Sequence, residues 1–215
     1  MTKIKICGLS EVEHVLAASK AGTDYIGLVF AQSRRRVSIN KAWVLLEALR
    51  SQKRPATAVG VFADETIQEV NRIIEYCHLD WVQLSGSENW DYCREIECPV
   101  IKVIHVLPNS STGKILKEID MGYRVQSKQK LIILLDTGTA KMPGGTGQVF
   151  DWQIAKKIVA KYPVIIAGGL NSANVGQLIK DIQPWGVDVS TGVENNKQKD
   201  VSKIVDFIQT VRNSE

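Results

Sequence analysis

Eight short runs of aliphatic and aromatic residues, spaced along the chain with helix-like stretches between them, leave few folds open. The runs are Lys3–Cys7, Tyr25–Phe30, Ala56–Phe62, Trp81–Leu84, Val100–Leu107, Leu131–Leu135, Val164–Ala167 and Gly186–Val189. Several are apolar without a break, Leu131-Ile132-Ile133-Leu134-Leu135 most clearly. A strand with one wet face alternates apolar with polar residues. A strand covered on both faces does not, so these runs predict a parallel sheet.

The intervening stretches carry apolar residues at i, i+3, i+4 and i+7, one face of a helix packed on a sheet. Ser10 with Glu13 forms a capping-box pattern ahead of Val12, Val15 and Leu16. Ser38 precedes Ala42, Leu45, Leu46 and Leu49, and a third stripe uses Ile67, Val70, Ile74 and Cys77. Val175, Leu178, Ile179 and Ile182 mark the seventh helix; Val201, Ile204, Val205 and Ile208 mark the last, behind Asp200. The helices after strands four and five are fainter, with Ile115, Leu116 and Ile119 making a short stripe between Gly113 and Gly122. An open doubly wound sheet also alternates strand and helix. Eight full units favour closure, so the α/β pattern predicts a (β/α)8 TIM barrel, whose usual size is ~250 residues. No linker or composition break divides the chain, and residues 1–215 are expected to form a single domain.

Charge and composition narrow the partners. Lys and Arg number 27 against 23 Asp and Glu, and the signs are interspersed. The densest basic stretch, Ser33-Arg34-Arg35-Arg36, is short and without interleaved aromatics, so no nucleic-acid partner is expected. No apolar stretch approaches the ~18 residues of a membrane span, and the charged start Met1-Thr2-Lys3 does not read as a secretory signal. Cys7, Cys77, Cys93 and Cys98 form no CxxC pair, and His14, His78 and His105 have no partners at metal spacing. The cysteines therefore read as reduced thiols of a cytoplasmic protein, and no metal is expected.

In such barrels the chemistry sits at the carboxyl ends of the strands. Cys7 ends the first strand, Asp136 ends the sixth, Gln83 lies in the fourth and Arg35 in the loop after the second. Gly144-Gly145-Thr146-Gly147, Gly168-Gly169 and Ser190-Thr191-Gly192 follow the last three strands. Glycine-rich loops let backbone N–H groups approach an anion, and a following helix N-terminus adds a favourable dipole. Gly168-Gly169-Leu170-Asn171 is expected to run straight into the seventh helix. GxxxxGK[ST] is absent, which argues against a Walker-type nucleotide site. Each residue also has a plainer reading: Cys7 as a small core thiol, Asp136 as a loop cap, the glycines as tight turns. Arg34 and Arg36 read as solvated, and Arg35 could join them. Trp43, Trp90 and Trp152 need no role beyond packing.

Taken in order, these motifs resemble one family over nearly the whole chain, the phosphoribosylanthranilate isomerases of tryptophan biosynthesis. The resemblance is carried by Lys5-Ile6-Cys7-Gly8, Gly27-Leu28-Val29-Phe30, Ser33-Arg34-Arg35-Arg36-Val37-Ser38, Val59-Gly60-Val61-Phe62 and Val82-Gln83-Leu84. Leu134-Leu135-Asp136-Thr137, Gly144-Gly145-Thr146-Gly147, Ala167-Gly168-Gly169-Leu170-Asn171 and Val187-Asp188-Val189-Ser190-Thr191-Gly192-Val193-Glu194 complete it.

The resemblance implies a cofactor-free Amadori rearrangement of a phosphorylated small molecule by a monomer or homodimer. It implies Cys7 as general base, Asp136 as general acid and Arg35 at the anthranilate end. Gln83 joins the substrate contacts, and phosphate rests on amides around Gly144, Gly145, Gly168, Gly169 and Gly192, with Thr191 nearby. A thiol of ordinary pKa ~8.5 is only partly ionised at neutral pH, so Cys7 is expected to need local help. The phosphate is expected across the mouth from it. One position departs from the family, which usually reads Gln-Leu-His-Gly where this chain has Gln83-Leu84-Ser85-Gly86. The implied effect is on affinity. A histidine-biosynthesis isomerase using two aspartates, and a phosphate-binding barrel without catalysis, are the alternatives; Cys7 argues against the first, and Cys7 with Asp136 against the second.

Overall fold

The computed structural model describes residues 1–107, 110–126, 130–137 and 152–215. Eight strands, β1 (Lys3–Cys7), β2 (Tyr25–Val29), β3 (Thr57–Phe62), β4 (Trp81–Leu84), β5 (Val100–Val106), β6 (Leu131–Thr137), β7 (Val164–Ile166) and β8 (Gly186–Val189), close in chain order into a barrel. Every neighbouring pair is parallel, and β1 seals against β8 from Lys3↔Gly186 to Ile6↔Val189. The helices are α1 (Val12–Ala21), α2 (Ile39–Arg50), α3 (Ile67–Cys77), α4 (Trp90–Arg94), α5 (Thr112–Val125), α6 (Trp152–Val159), α7 (Val175–Ile182) and α8 (Val201–Asn213). Between β8 and α8 lies an antiparallel hairpin of β9 (Glu194–Asn195) and β10 (Gln198–Lys199).

Strand side chains alternate between the inside of the barrel and the helices. Val59, Ile101, Val103, Ile132, Leu134, Ile165 and Ala167 pack as one inner cluster. Ile4, Ile6, Val82, Ile133 and Leu135 face outward into the layer shared with the helices. Tyr25, Trp81 and Trp185 pack against the inner cluster at its amino end, with Tyr25 edge-on to Trp81 at 6.4 Å. Each such aromatic pair adds about 0.5–1.5 kcal/mol beyond its buried area. The expected caps at Ser38 and Asp200 form, accepting from Lys41 N at 3.2 Å and Lys203 N at 3.1 Å. Each is worth about 1 kcal/mol.

Local details differ from the sequence expectations. β2, β5 and β7 stop one residue early and β3 starts one residue late, because apolar content does not mark a strand end. Phe30 leaves the ladder to stack on Phe62, centroids 5.0 Å apart. β6 runs on through Asp136, which pairs in register with His105, since β5 continues beside it. The Ser10–Glu13 capping box does not form: α1 starts at Val12 behind Glu11, whose carboxylate is drawn instead to Lys41 Nζ at 2.7 Å. Asn171 does not lead straight into α7, which opens at Val175 after a turn; Asn174 Oδ1 accepts from Asn171 N at 2.9 Å. α5 is longer than its apolar stripe. Its Gly122 lies under the Trp90 ring, where a Cβ would sit 2.5 Å from the indole.

Candidate active site

Cys7 closes β1 at the carboxyl end of the barrel and is 8% exposed. Two positions back on the same inward face is Lys5, fully buried and ion-paired with Asp188 of β8 at 2.9 Å. The Lys5 ammonium and the Cys7 sulfur are near neighbours: a Cβ built on Gly27 of β2 would lie 3.1 Å from the first and 3.0 Å from the second. Burial opposes the Lys5 charge, but Asp188 and Cys7 outweigh it and hold its pKa above the ordinary lysine value. The Cys7 thiol lies above the ordinary thiol value: burial raises it most and Asp188 adds to the rise, while Lys5 and Lys199 pull it only part of the way back.

Behind the sulfur lies a second charged cluster. Glu194 accepts from Arg35 Nε at 2.7 Å, pairs with Arg34, and stands 3.3 Å from Lys199 Nζ. Burial alone would raise its pKa, but Arg35, Arg34 and Lys199 bring it down to about 2. Burial brings Lys199 down to about 8 despite Cys7 and Glu194. Its Nζ donates to the Ser190 carbonyl at 2.8 Å, and Ser190 Oγ donates to the Cys7 carbonyl at 3.2 Å. The Arg35 stem crosses Gly8, where a Cβ would meet its Cδ at 2.5 Å, so only glycine fits. Arg35 Nη2 is buried without a partner among the described residues. Arg34 is not merely solvated: its guanidinium bonds Glu194 and the Lys197 carbonyl.

Asp136 lines a small cavity of about 50 Å³ together with Ala167, Gly168, Gly169, Leu170, Asp188, Ser190 and Thr191. Ser190 and Asp188 thus connect this cavity to Cys7, one through its bond to the Cys7 carbonyl and the other through Lys5. Gly168 and Gly169 have φ of +89° and +66°, conformations that side chains rarely adopt. Asn174 Nδ2 ties the Gly169 carbonyl at 3.0 Å, turning this loop. Gly192 abuts the same loop so closely that a Cβ would fall 1.9 Å from the Leu170 carbonyl oxygen. Gly144 and Gly145 lie outside the described residues.

The β4–β5 side of the mouth is polar. Gln83 is buried, its Nε2 donates to Ser85 Oγ at 3.0 Å, and its Oε1 has no partner among the described residues. His105 Nε2 meets the Ser85 carbonyl at 3.0 Å, and its Nδ1 is buried without a partner. A carbonyl only accepts, so Nε2 carries the hydrogen and a neutral ring has a bare Nδ1. The loop is braced by Glu88, which pairs with Lys102 at 3.0 Å and accepts from the Asp64 and Gly86 N–H groups.

The structure therefore brings Cys7, Asp136, Gln83, Arg35, Gly168, Gly169, Thr191 and Gly192 to the carboxyl end of one barrel. The sequence reading assigned no role to Lys5, Asp188, Glu194, Lys199 or His105. Lys5 and Asp188 were visible as charges inside apolar strands; Glu194 meets Arg35 across 159 residues, which left no local trace, and Lys199 joins the cluster through Glu194. Among the described residues no helix is long and apolar enough to cross a membrane, and no group of three His, Cys, Asp or Glu side chains is placed to hold a metal.

A closed parallel barrel with a thiol, a carboxyl group and glycine loops at its carboxyl end has the architecture of a TIM-barrel enzyme. The family model described as N-(5'phosphoribosyl)anthranilate (PRA) isomerase matches residues 4–210. The chain is 47% identical over 215 residues to the N-(5'-phosphoribosyl)anthranilate isomerase of Dehalococcoides mccartyi, covering 100% of this chain and 98% of that one. A monomeric form of the dimeric Thermotoga maritima phosphoribosylanthranilate isomerase superposes with a TM-score of 0.82 at 31% identity, covering 99% and 100% of the two chains. A phosphoribosylanthranilate isomerase in complex with reduced 1-(o-carboxyphenylamino)-1-deoxyribulose 5-phosphate superposes at 0.81 and 29% identity, covering 99% and 100%. The chain belongs to the N-(5'-phosphoribosyl)anthranilate isomerase family.

Proposed function

We propose that residues 1–215 act as a single catalytic domain that converts N-(5'-phosphoribosyl)anthranilate to 1-(2-carboxyphenylamino)-1-deoxyribulose 5-phosphate, with Asp136 as acid and Cys7 as base. Asp136 protonates the ring oxygen as the C1′–O bond breaks, and the anilino nitrogen lone pair forms the C1′=N iminium. The Cys7 thiolate then takes the C2′ proton. The C–H electrons form C1′=C2′ and the iminium electrons return to nitrogen; the resulting enol gains a proton at C1′ and loses its C2′ hydroxyl proton to solvent, leaving the C2′ ketone. Each well-placed proton transfer is worth about 10²–10⁴-fold, and neither step requires a cofactor.

The remaining groups divide the substrate between them. Arg35, with its unpartnered Nη2, takes the anthranilate carboxylate while Glu194 holds its other edge. Gln83 takes a polar group of the sugar. The phosphate rests on backbone amides of the loops carrying Gly168, Gly169, Thr191 and Gly192, with Gly144 and Gly145 completing the cradle. The protein works in the cytoplasm on this small molecule as a monomer or homodimer, with no nucleic-acid or membrane partner.

One observation supports the reading: Ser190 both bonds the Cys7 backbone carbonyl and lines the cavity of Asp136, which sets the end of β1 one hydrogen bond from that cavity. Anthranilate-type fluorescence followed during turnover tests it. Cys7→Ser and Asp136→Asn should each lower kcat at least about 100-fold with thermal unfolding unchanged. Near-normal rates in either would overturn the mechanism.

A further inference from the structure

We propose that Lys5 is a positioning residue for Cys7: its ammonium, clamped inside the barrel by Asp188, favours the anionic form of the sulfur that a base requires. The proposal rests on the assignment of Cys7 as base and adds how that base is supplied. Barrel interiors are filled mainly by branched aliphatic side chains, and Val59, Ile101, Ile132 and Ile165 do so here. Lys5, at 1% exposure, breaks that rule. A buried ion pair is weak grounds for stability, since apolar residues of similar volume often do as well. A buried ammonium set beside one thiol at a strand end has a chemical use instead.

The neighbouring strand is shaped around this contact. Gly27 of β2 pairs in register with Cys7, and a Cβ there would lie 3.0 Å from Sγ and 3.1 Å from Lys5 Nζ. Any side chain would drive between cation and sulfur or push both away. The charged groups acting on the sulfur are Lys5 from β1, Asp188 from β8 and Lys199 from the β9–β10 hairpin. Lys199 is occupied by Glu194 and the Ser190 carbonyl. Lys5 is the cation on the sulfur's own strand, and Asp188 fixes it at the cost of an opposing charge. When the thiolate takes the C2′ proton it becomes a neutral thiol, and Lys5 keeps its proton and its bond to Asp188 throughout.

The test is alkylation of Cys7 by iodoacetamide across pH, read on the Cys7 peptide by mass spectrometry, which needs neither substrate nor turnover. Lys5→Met should raise the midpoint by about one pH unit or more and slow alkylation at pH 7.5 about tenfold. Asp188→Asn, which leaves the cation unopposed, should shift the midpoint the opposite way. Loosening of the barrel would move both variants in one direction, and that result would overturn the proposal, as would a Lys5→Met midpoint within a few tenths of a unit of the parent. Should Lys5→Met alone fail to fold, the Lys5→Met/Asp188→Asn pair buries no unpaired charge. Its midpoint should lie about a unit or more above that of Asp188→Asn; coincidence of the two would likewise refute the role of Lys5. In Lys5→Met, kcat should fall with KM held. If alkylation shifts as stated and kcat does not, Lys5 governs the sulfur and it is the assignment of Cys7 as base that fails.

Discussion

Gly192→Ala puts the phosphate cradle to a quantitative test. An added methyl would sit 1.9 Å from the Leu170 carbonyl oxygen, 2.9 Å from its carbon and 3.0 Å from Asn171 Cα. All three are backbone atoms, so no side chain can rotate away. Bringing the first contact out to 3.0 Å requires the loops after β7 and β8 to part by about 1.1 Å. These loops carry Gly168 and Gly169 on one side and, on the other, Thr191 and Ser190, which is bonded to the Cys7 carbonyl. A misplacement of about 1 Å costs on the order of 10²-fold in rate. kcat/KM should therefore fall about 100-fold, mostly through KM, because the phosphate grip serves substrate and transition state alike. Overpacking should also cost about 1–3 kcal/mol of stability. The assay is steady-state fluorescence, paired with thermal unfolding in increasing inorganic phosphate; the parent should be stabilised and the variant much less so. A variant within threefold of the parent in kcat/KM, with phosphate protection retained, would refute the cradle.

Other expectations follow from particular contacts. Ser85→His removes the hydroxyl that holds Gln83 and crowds the carbonyl bonded to His105, so KM should move several-fold while kcat stays within about twofold; identical constants would make the departure at 85 silent. Glu194 has a folded pKa of about 2, below the ordinary value of about 4.3. Its stabilisation is present above that ordinary value and is lost as pH falls through about 2. Urea unfolding between pH 5 and 2 should show a shallower acid loss in Glu194→Gln, and an unchanged slope would discount the cluster. Gly113→Ala in α5 meets nothing nearer than Ser111 Oγ at 3.7 Å. It should raise stability by up to about 1 kcal/mol, seen as a higher Tm, with kcat and KM unaltered.

The alternation of strand and helix was legible because a barrel buries both faces of its strands and one face of each helix, and composition records burial. The same fact hides the site. In Leu131–Thr137 nothing in the run of apolar residues says which ones face the barrel axis, so Asp136 could be placed near the mouth but not inside the strand beside His105. Glycines announce loops, yet the reason for Gly192 is a carbonyl contributed by another strand's loop, and the reason for Gly27 is a sulfur and an ammonium on β1. Ser10 and Glu13 had the right spacing for a cap, yet α1 opens one residue later, behind Glu11, whose carboxylate pairs with Lys41 thirty residues away. In each case local pattern set the element and a distant residue set the detail. The one clue to the interior that the chain displayed openly was charge out of place. Lys5 and Asp188 are buried charges among the apolar residues of β1 and β8, as Lys102 is in β5 beside Glu88 of the preceding loop, and a charge buried without a partner is far too costly to persist. Two such interruptions on strands that must meet when the barrel closes imply each other. That inference needed only the closure of β1 on β8, and it leads directly to Cys7.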